Sequence, residues 1–112
     1  NYPETRGQRV IGRGAPDFFA WHMGTGRAVL FDAKSTTAKR WPVSLLAPHQ
    51  FAALKHFPGI AGLYLRTSEG DAWVPLGVVE PVWRVWWSTK VEGYLTIADG
   101  VRVSGMDWTV AV

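Results

Sequence analysis

The chain has 112 residues, no cysteine, 47% hydrophobic and 19% charged residues, and a formal net charge of +3. These values leave room for one folded domain of two packed layers, and they exclude a disulfide scaffold, a thiolate metal site and a disordered tail. No apolar run is long enough to span a bilayer and no basic start precedes an apolar stretch, so a cytoplasmic protein, of cellular or phage origin, is expected.

Up to residue 40 the chain carries seven Lys or Arg against three acids, which favours a polyanionic partner over a neutral one, although a solvated basic face has the same composition. Residues 1–16 are rich in Gly, Pro and Arg and read as a basic arm leading into the first strand. Arg6, Arg9 and Arg13 are spaced along it as candidate phosphate contacts.

From Asp17 to His22 and from Arg27 to Lys34 two apolar runs flank Met23-Gly24-Thr25-Gly26, the pattern of a β-hairpin. With that connection the cross-strand partners sum to 49, so that His22 faces Arg27, Trp21 faces Ala28, Phe19 faces Leu30, and Asp17 faces Asp32. The two opposed carboxylates would have Cβ atoms about 5 Å apart. Strand alternation puts Lys34 on the face of Asp32. Both faces of the hairpin are apolar, which predicts that it is central and buried. Two buried like charges in opposition call for a cation between them, and Mg²⁺ suits hard oxygen ligands. The alternative is a pair of acids at the surface end of the hairpin, one of them salt-bridged to Lys34.

Ser35 to Val43 is polar and basic and reads as an exposed loop, with Lys39, Arg40 and Trp41 placed to combine phosphate neutralisation with stacking on a base. Leu46, Gln50, Phe51, Leu54 and Phe57 recur at helical spacing, Pro48 is tolerated in a first turn, and Pro58-Gly59 stops the helix. His49 and His56 share a face but lack a third ligand for zinc; His49 is a candidate phosphate contact. Ile60–Arg66 and Ala72–Leu76 read as strands around a turn at residues 67–71. Val78 to Trp87 is ambiguous between strand and helix, and its apolar content fits either core packing or a dimer interface. The remainder, from Tyr94, holds short β-prone runs around Gly100 and Gly105. The order strand, strand, helix, strand, strand predicts a mixed α/β domain with a central sheet.

Pro16-Asp17, the intervening hairpin, and Asp32-Ala33-Lys34 preceded by Val29-Leu30-Phe31 resemble the PD-(D/E)XK nuclease signature. Phe31-Asp32-Ala33-Lys34-Ser35-Thr36, then Trp41-Pro42-Val43, then His49-Gln50 opening a helix, is similar to the RecU-type Holliday junction resolvases over residues 14–67. The resemblance implies a restriction-endonuclease-like fold, a central mixed β-sheet flanked by helices, spanning residues 1–112 as a single nuclease domain. It implies metal ligation by Asp17, Asp32 and the backbone carbonyl of Ala33, a catalytic role for Lys34, and an active-site approach by Gln50. Mg²⁺, with Mn²⁺ as a substitute, would support phosphodiester hydrolysis in branched double-stranded DNA. The two-fold symmetry of a four-way junction implies a homodimer. Two departures stand out. The second acid is Asp where RecU-type proteins usually have Glu, and the acid that the family draws from an N-terminal helix has no counterpart, since Glu4 is the only acid before Asp17 and lies between Pro3 and Gly7.

Overall fold

A computed structural model of the chain describes residues 18–22 and 25–103, with side chains described from residue 25 onward. Strand β1 (Phe18–His22) and strand β2 (Arg27–Ser35) form the expected hairpin. Their antiparallel register runs from His22↔Arg27 to Phe18↔Phe31, so the partner numbers sum to 49. Gly26 turns the chain with φ +72°, a conformation that costs glycine little because it has no Cβ.

Beyond Ser35 the chain crosses over through a two-residue strand β3 (Trp41–Pro42), a short 3₁₀ turn at Val43–Leu45 and helix α1 (Pro48–His56). It returns as β4 (Ile60–Thr67), which pairs with β2 in parallel from Val29↔Ile60 to Ser35↔Arg66. A tight turn at Ser68-Glu69 leads into β5 (Gly70–Pro75), antiparallel to β4. The Thr67 hydroxyl secures this turn by accepting from Glu69 N at 3.1 Å and donating to Gly70 O at 3.3 Å. Helix α2 (Leu76–Thr89) follows at once, then β6 (Tyr94–Leu95), a 3₁₀ turn at Ile97–Asp99 and β7 (Val101–Val103). The main sheet has the order β1-β2-β4-β5-β7, while β3 and β6 form a separate two-stranded ribbon. The molecule is therefore mixed α/β, as its pattern of elements predicts.

Alternation sorts the side chains onto two faces. Leu30, Leu63, Leu65, Ala72 and Val74 enter the main core with Phe51 and Leu54 of α1 and Val79 and Trp83 of α2. Both described helices thus cover the same face. Trp83 joins them: its ring stacks on Phe51 with centroids 4.1 Å apart, and its Nε1 donates to Leu46 O at 2.8 Å. The opposite face carries a smaller cluster of Val29, Phe31 and Trp73, with Phe31 and Trp73 edge to face at 6.2 Å.

Three expectations change. The hairpin is central only through β2; among the described residues β1 is the edge strand. Residues 78–87 are helical despite Pro81 and four valines, because Leu76, Val79, Trp83 and Trp86 fall at spacings of three, four and three and lie on or against the core. The segment 35–43 is not wholly an exposed loop. Its end is tied inward by Trp41↔Leu95 pairing, and Trp41 and Val43 are buried, since a large ring that finds an apolar partner leaves water.

Gly62 marks the tightest approach within β4. A Cβ there would stand 2.5 Å from Val74 O and 2.8 Å from the Trp73 ring. Gly62→Ala should lower stability by about 1–3 kcal/mol through overpacking, read as a fall in the urea unfolding midpoint with an unchanged slope.

Candidate functional site

Asp32 and Lys34 lie near the carboxyl end of β2, on the face that the helices cover. Their register partners on β4 are Leu63 and Leu65, both in the main core. Asp32 is fully buried and Lys34 half-buried, while Ala33 and Ser35 are exposed on the other side of the strand. A carboxylate brought this deep is costly unless a cation or hydrogen-bond donors meet it.

Helix α1 delivers Gln50 to the same place. Its first turn is closed by that side chain, because Ala47 at the N-cap has no side-chain oxygen to cap with and its backbone N–H donates to Gln50 Oε1 at 3.1 Å. The same Oε1 accepts from Lys34 Nζ at 3.2 Å. One carbonyl therefore ties the lysine to the start of the helix. Lys34 forms no ion pair with a carboxylate among the described residues. The structure thus brings together Lys34 and Gln50, two residues 16 apart in the chain, beside Asp32.

Asp17, Arg6, Arg9 and Arg13 lie outside the described residues. The register next to Asp17, Phe18↔Phe31, has the expected parity. Among the described residues no group of three or more His, Cys, Asp or Glu is assembled. The oxygen donors that are described, the Asp32 carboxylate and the Ala33 carbonyl, fit a hard divalent cation in kind.

The basic segment after β2 differs from its expectation. Lys39 and Arg40 are exposed, and Lys39 stands 3.9 Å from Glu69, a loose surface pair. Trp41 is 1% exposed and belongs to the core, so it offers no ring to a base at the surface. The aromatic at the surface is Tyr94, whose ring lies 3.8 Å from the Arg40 guanidinium carbon. Tyr94 is 54 residues from Arg40 in sequence, and only the β3–β6 pairing signals its proximity. His49 is exposed on the first turn of α1, next to Gln50.

On the opposite sheet face an open groove of about 290 Å³ is lined by Ala33, Lys34, Ser35, Tyr64 and Arg66. Neither Asp32 nor Gln50 lines it, and Lys34, which shares the face of Asp32, is the residue common to the groove and to the contact with Gln50. Asp71 fixes the edge of that face. It accepts from Arg66 Nε and Nη2, each at 3.0 Å, and from the Tyr64 hydroxyl at 2.7 Å. The bidentate guanidinium holds the Asp71 carboxyl below the ordinary carboxylate range, against the opposing effect of burial. Burial first, then the bond to Asp71, pushes the Tyr64 hydroxyl up.

No protein-family model matches the chain. No curated protein matches it either. No helix among the described residues is long and apolar enough to cross a membrane.

Because Asp71 releases its proton more readily in the folded protein than in the unfolded chain, it stabilises the fold above the ordinary aspartate pKa. That contribution is lost as pH falls through the lower folded value. Asp71→Asn should therefore destabilise the protein near neutrality and flatten the loss of stability below about pH 4, measured by unfolding midpoints across an acid series.

Proposed function

We propose that the chain is a metal-dependent DNA endonuclease with a restriction-endonuclease-like fold, acting on four-way junctions as a Holliday junction resolvase in DNA recombination and repair. The observation that carries this reading is the contact between Lys34 and Gln50 beside the buried Asp32. The sequence resemblance assigns these three residues to one active centre. A parallel crossover that carries α1 back over β2 places them within reach of one another.

In this reading Asp17, Asp32 and the Ala33 carbonyl hold Mg²⁺, or Mn²⁺ in its place. The ion supplies Lewis acidity at the scissile phosphate and a water nucleophile of lowered pKa. Lys34 directs a positive charge at the developing phosphorane, where a prepositioned cation is worth more than in water. Gln50 Oε1 fixes the direction of Lys34 Nζ, and its bond to Ala47 N keeps Oε1 from swinging away. Lys39, Arg40 and His49, exposed around the same end of the sheet, contact the DNA backbone. A homodimer matches the two-fold symmetry of a junction that must be nicked twice. Val78, Val85 and Trp87, exposed on α2, are apolar surface available for such an association.

Asp32→Asn should abolish Mg²⁺-dependent nicking while leaving junction binding intact, with the two read by gel assay and by fluorescence anisotropy. Loss of both together would point to a purely structural role for Asp32. Cleavage of a labelled four-way junction should exceed that of matched linear duplex. Equal rates would remove the resolvase reading and leave a nuclease of the same chemistry, of restriction or repair type. No metal-dependent cleavage of either would leave a DNA-binding module that shares the fold.

A further inference from the structure

Beyond β2 the exposed Arg40 lies over an aromatic ring. Arg40 immediately precedes β3, whose Trp41 and Pro42 pair with Leu95 and Tyr94 of β6. Trp41 and Leu95 are both buried, which anchors the ribbon and turns their chain neighbours outward. Residues 92–94 are further stapled to the chain following β3. Val43 N donates to Gly93 O at 2.9 Å, and Glu92 accepts from Ser44 N at 3.0 Å and from Ser44 Oγ at 2.5 Å. Tyr94, 40% exposed, is thus a ring on a fixed base, and the Arg40 guanidinium carbon lies 3.8 Å from its centroid.

Three of the four other described arginines, Arg66, Arg84 and Arg102, spend donors on the fold. Arg66 is engaged by Asp71, Arg84 Nε by Glu80 at 2.7 Å, and Arg102 Nη1 by Glu69 O at 2.9 Å. Arg40 donates to no acceptor among the described residues. The Glu92 carboxylate, two residues before Tyr94, accepts from Ser44 with both oxygens. A guanidinium laid on an aromatic face keeps its N–H edge available while losing rotational freedom, which lowers the entropy still to be lost when it binds. A planar fork of this kind matches two oxygens of a phosphate.

We infer that Arg40 is a phosphodiester contact for nucleic acid and that Tyr94 is its positioning residue, holding the guanidinium flat for bidentate binding. The inference rests on the nuclease reading for its choice of polyanion: five residues, Ser35 to Lys39, separate Lys34 from Arg40, so a strand lying along this loop leads toward Lys34. Tyr94 takes the place that the sequence pattern gives to Trp41, and it acts on the arginine instead of on a base.

The test uses the full chain and a fluorescently labelled four-way DNA junction, with binding followed by anisotropy across a salt series without divalent cation. Arg40→Ala should weaken binding about tenfold and reduce the slope of log K against log salt by about one. Tyr94→Ala should weaken it severalfold with the slope largely kept, and Tyr94→Phe should bind like the parent. Arg40→Lys, which keeps the charge and loses the fork, should weaken binding with the slope kept. The double variant Arg40→Ala/Tyr94→Ala should bind no more weakly than Arg40→Ala alone. Multiplicative losses in the double variant, or parental binding by Arg40→Lys and Tyr94→Ala, would overturn the inference and leave the nuclease reading in place if the parent still binds and cleaves. A parent chain that binds no DNA would overturn both.

Discussion

The parallel pairing of β2 with β4 is the constraint on which the rest of the molecule depends. Parallel neighbours cannot be joined by a tight turn, so the chain must leave the end of β2, travel back along the sheet and start again at the beginning of β4. The 24 residues that make this journey include β3, Val43, Leu46 and α1, and their large apolar side chains, apart from the exposed Leu45, enter or pack against the core over one face. Because the helix must lie antiparallel to β2 to return, its N-terminus comes to rest near the carboxyl end of the strand. That is why Gln50 meets Lys34.

The same arrangement sets the electrostatic character of that end of the sheet. A fully buried carboxylate, a half-buried ammonium and a helix N-terminus converge where the ladder between β2 and β4 closes. The helix N-terminus contributes partial positive charge and Lys34 a full one, both on the side of the buried Asp32 carboxylate. Elsewhere Asp71 is paired with Arg66 and Glu80 with Lys55 and Arg84, while Glu92 accepts from the neutral donors of Ser44. Arg40 stands apart from these pairs, with its guanidinium over the Tyr94 ring.

Local signals were easy to read where the partner of a residue is close in sequence. The hairpin register followed from a four-residue connection, since pairing across a short turn leaves one parity. Helix α1 followed from Pro48, the spacing of Phe51 and Leu54, and Pro58. Helix α2 was obscured because Pro81 and the β-branched valines argue against a helix locally, while the reward for forming one, burial of Val79 and Trp83 against the sheet, comes from residues far away. Trp41 was misplaced for the same reason. Its neighbours are basic and polar, and only Leu95, 54 residues on, gives its ring an interior to enter.

By itself the sequence determined the mixed α/β class, the strand that carries Asp32 and Lys34, their common face and the helix that begins near Gln50, because each of these depends on periodicity and turn chemistry within a few residues. Only the tertiary structure decided that Gln50 Oε1 holds Lys34, that Trp41 is core, that β1 lies at the edge of the described sheet, and that the aromatic beside Arg40 is Tyr94. Those outcomes depend on which distant segments pair. Pairing is fixed by the summed burial of many apolar side chains, a quantity that no short stretch of the chain contains.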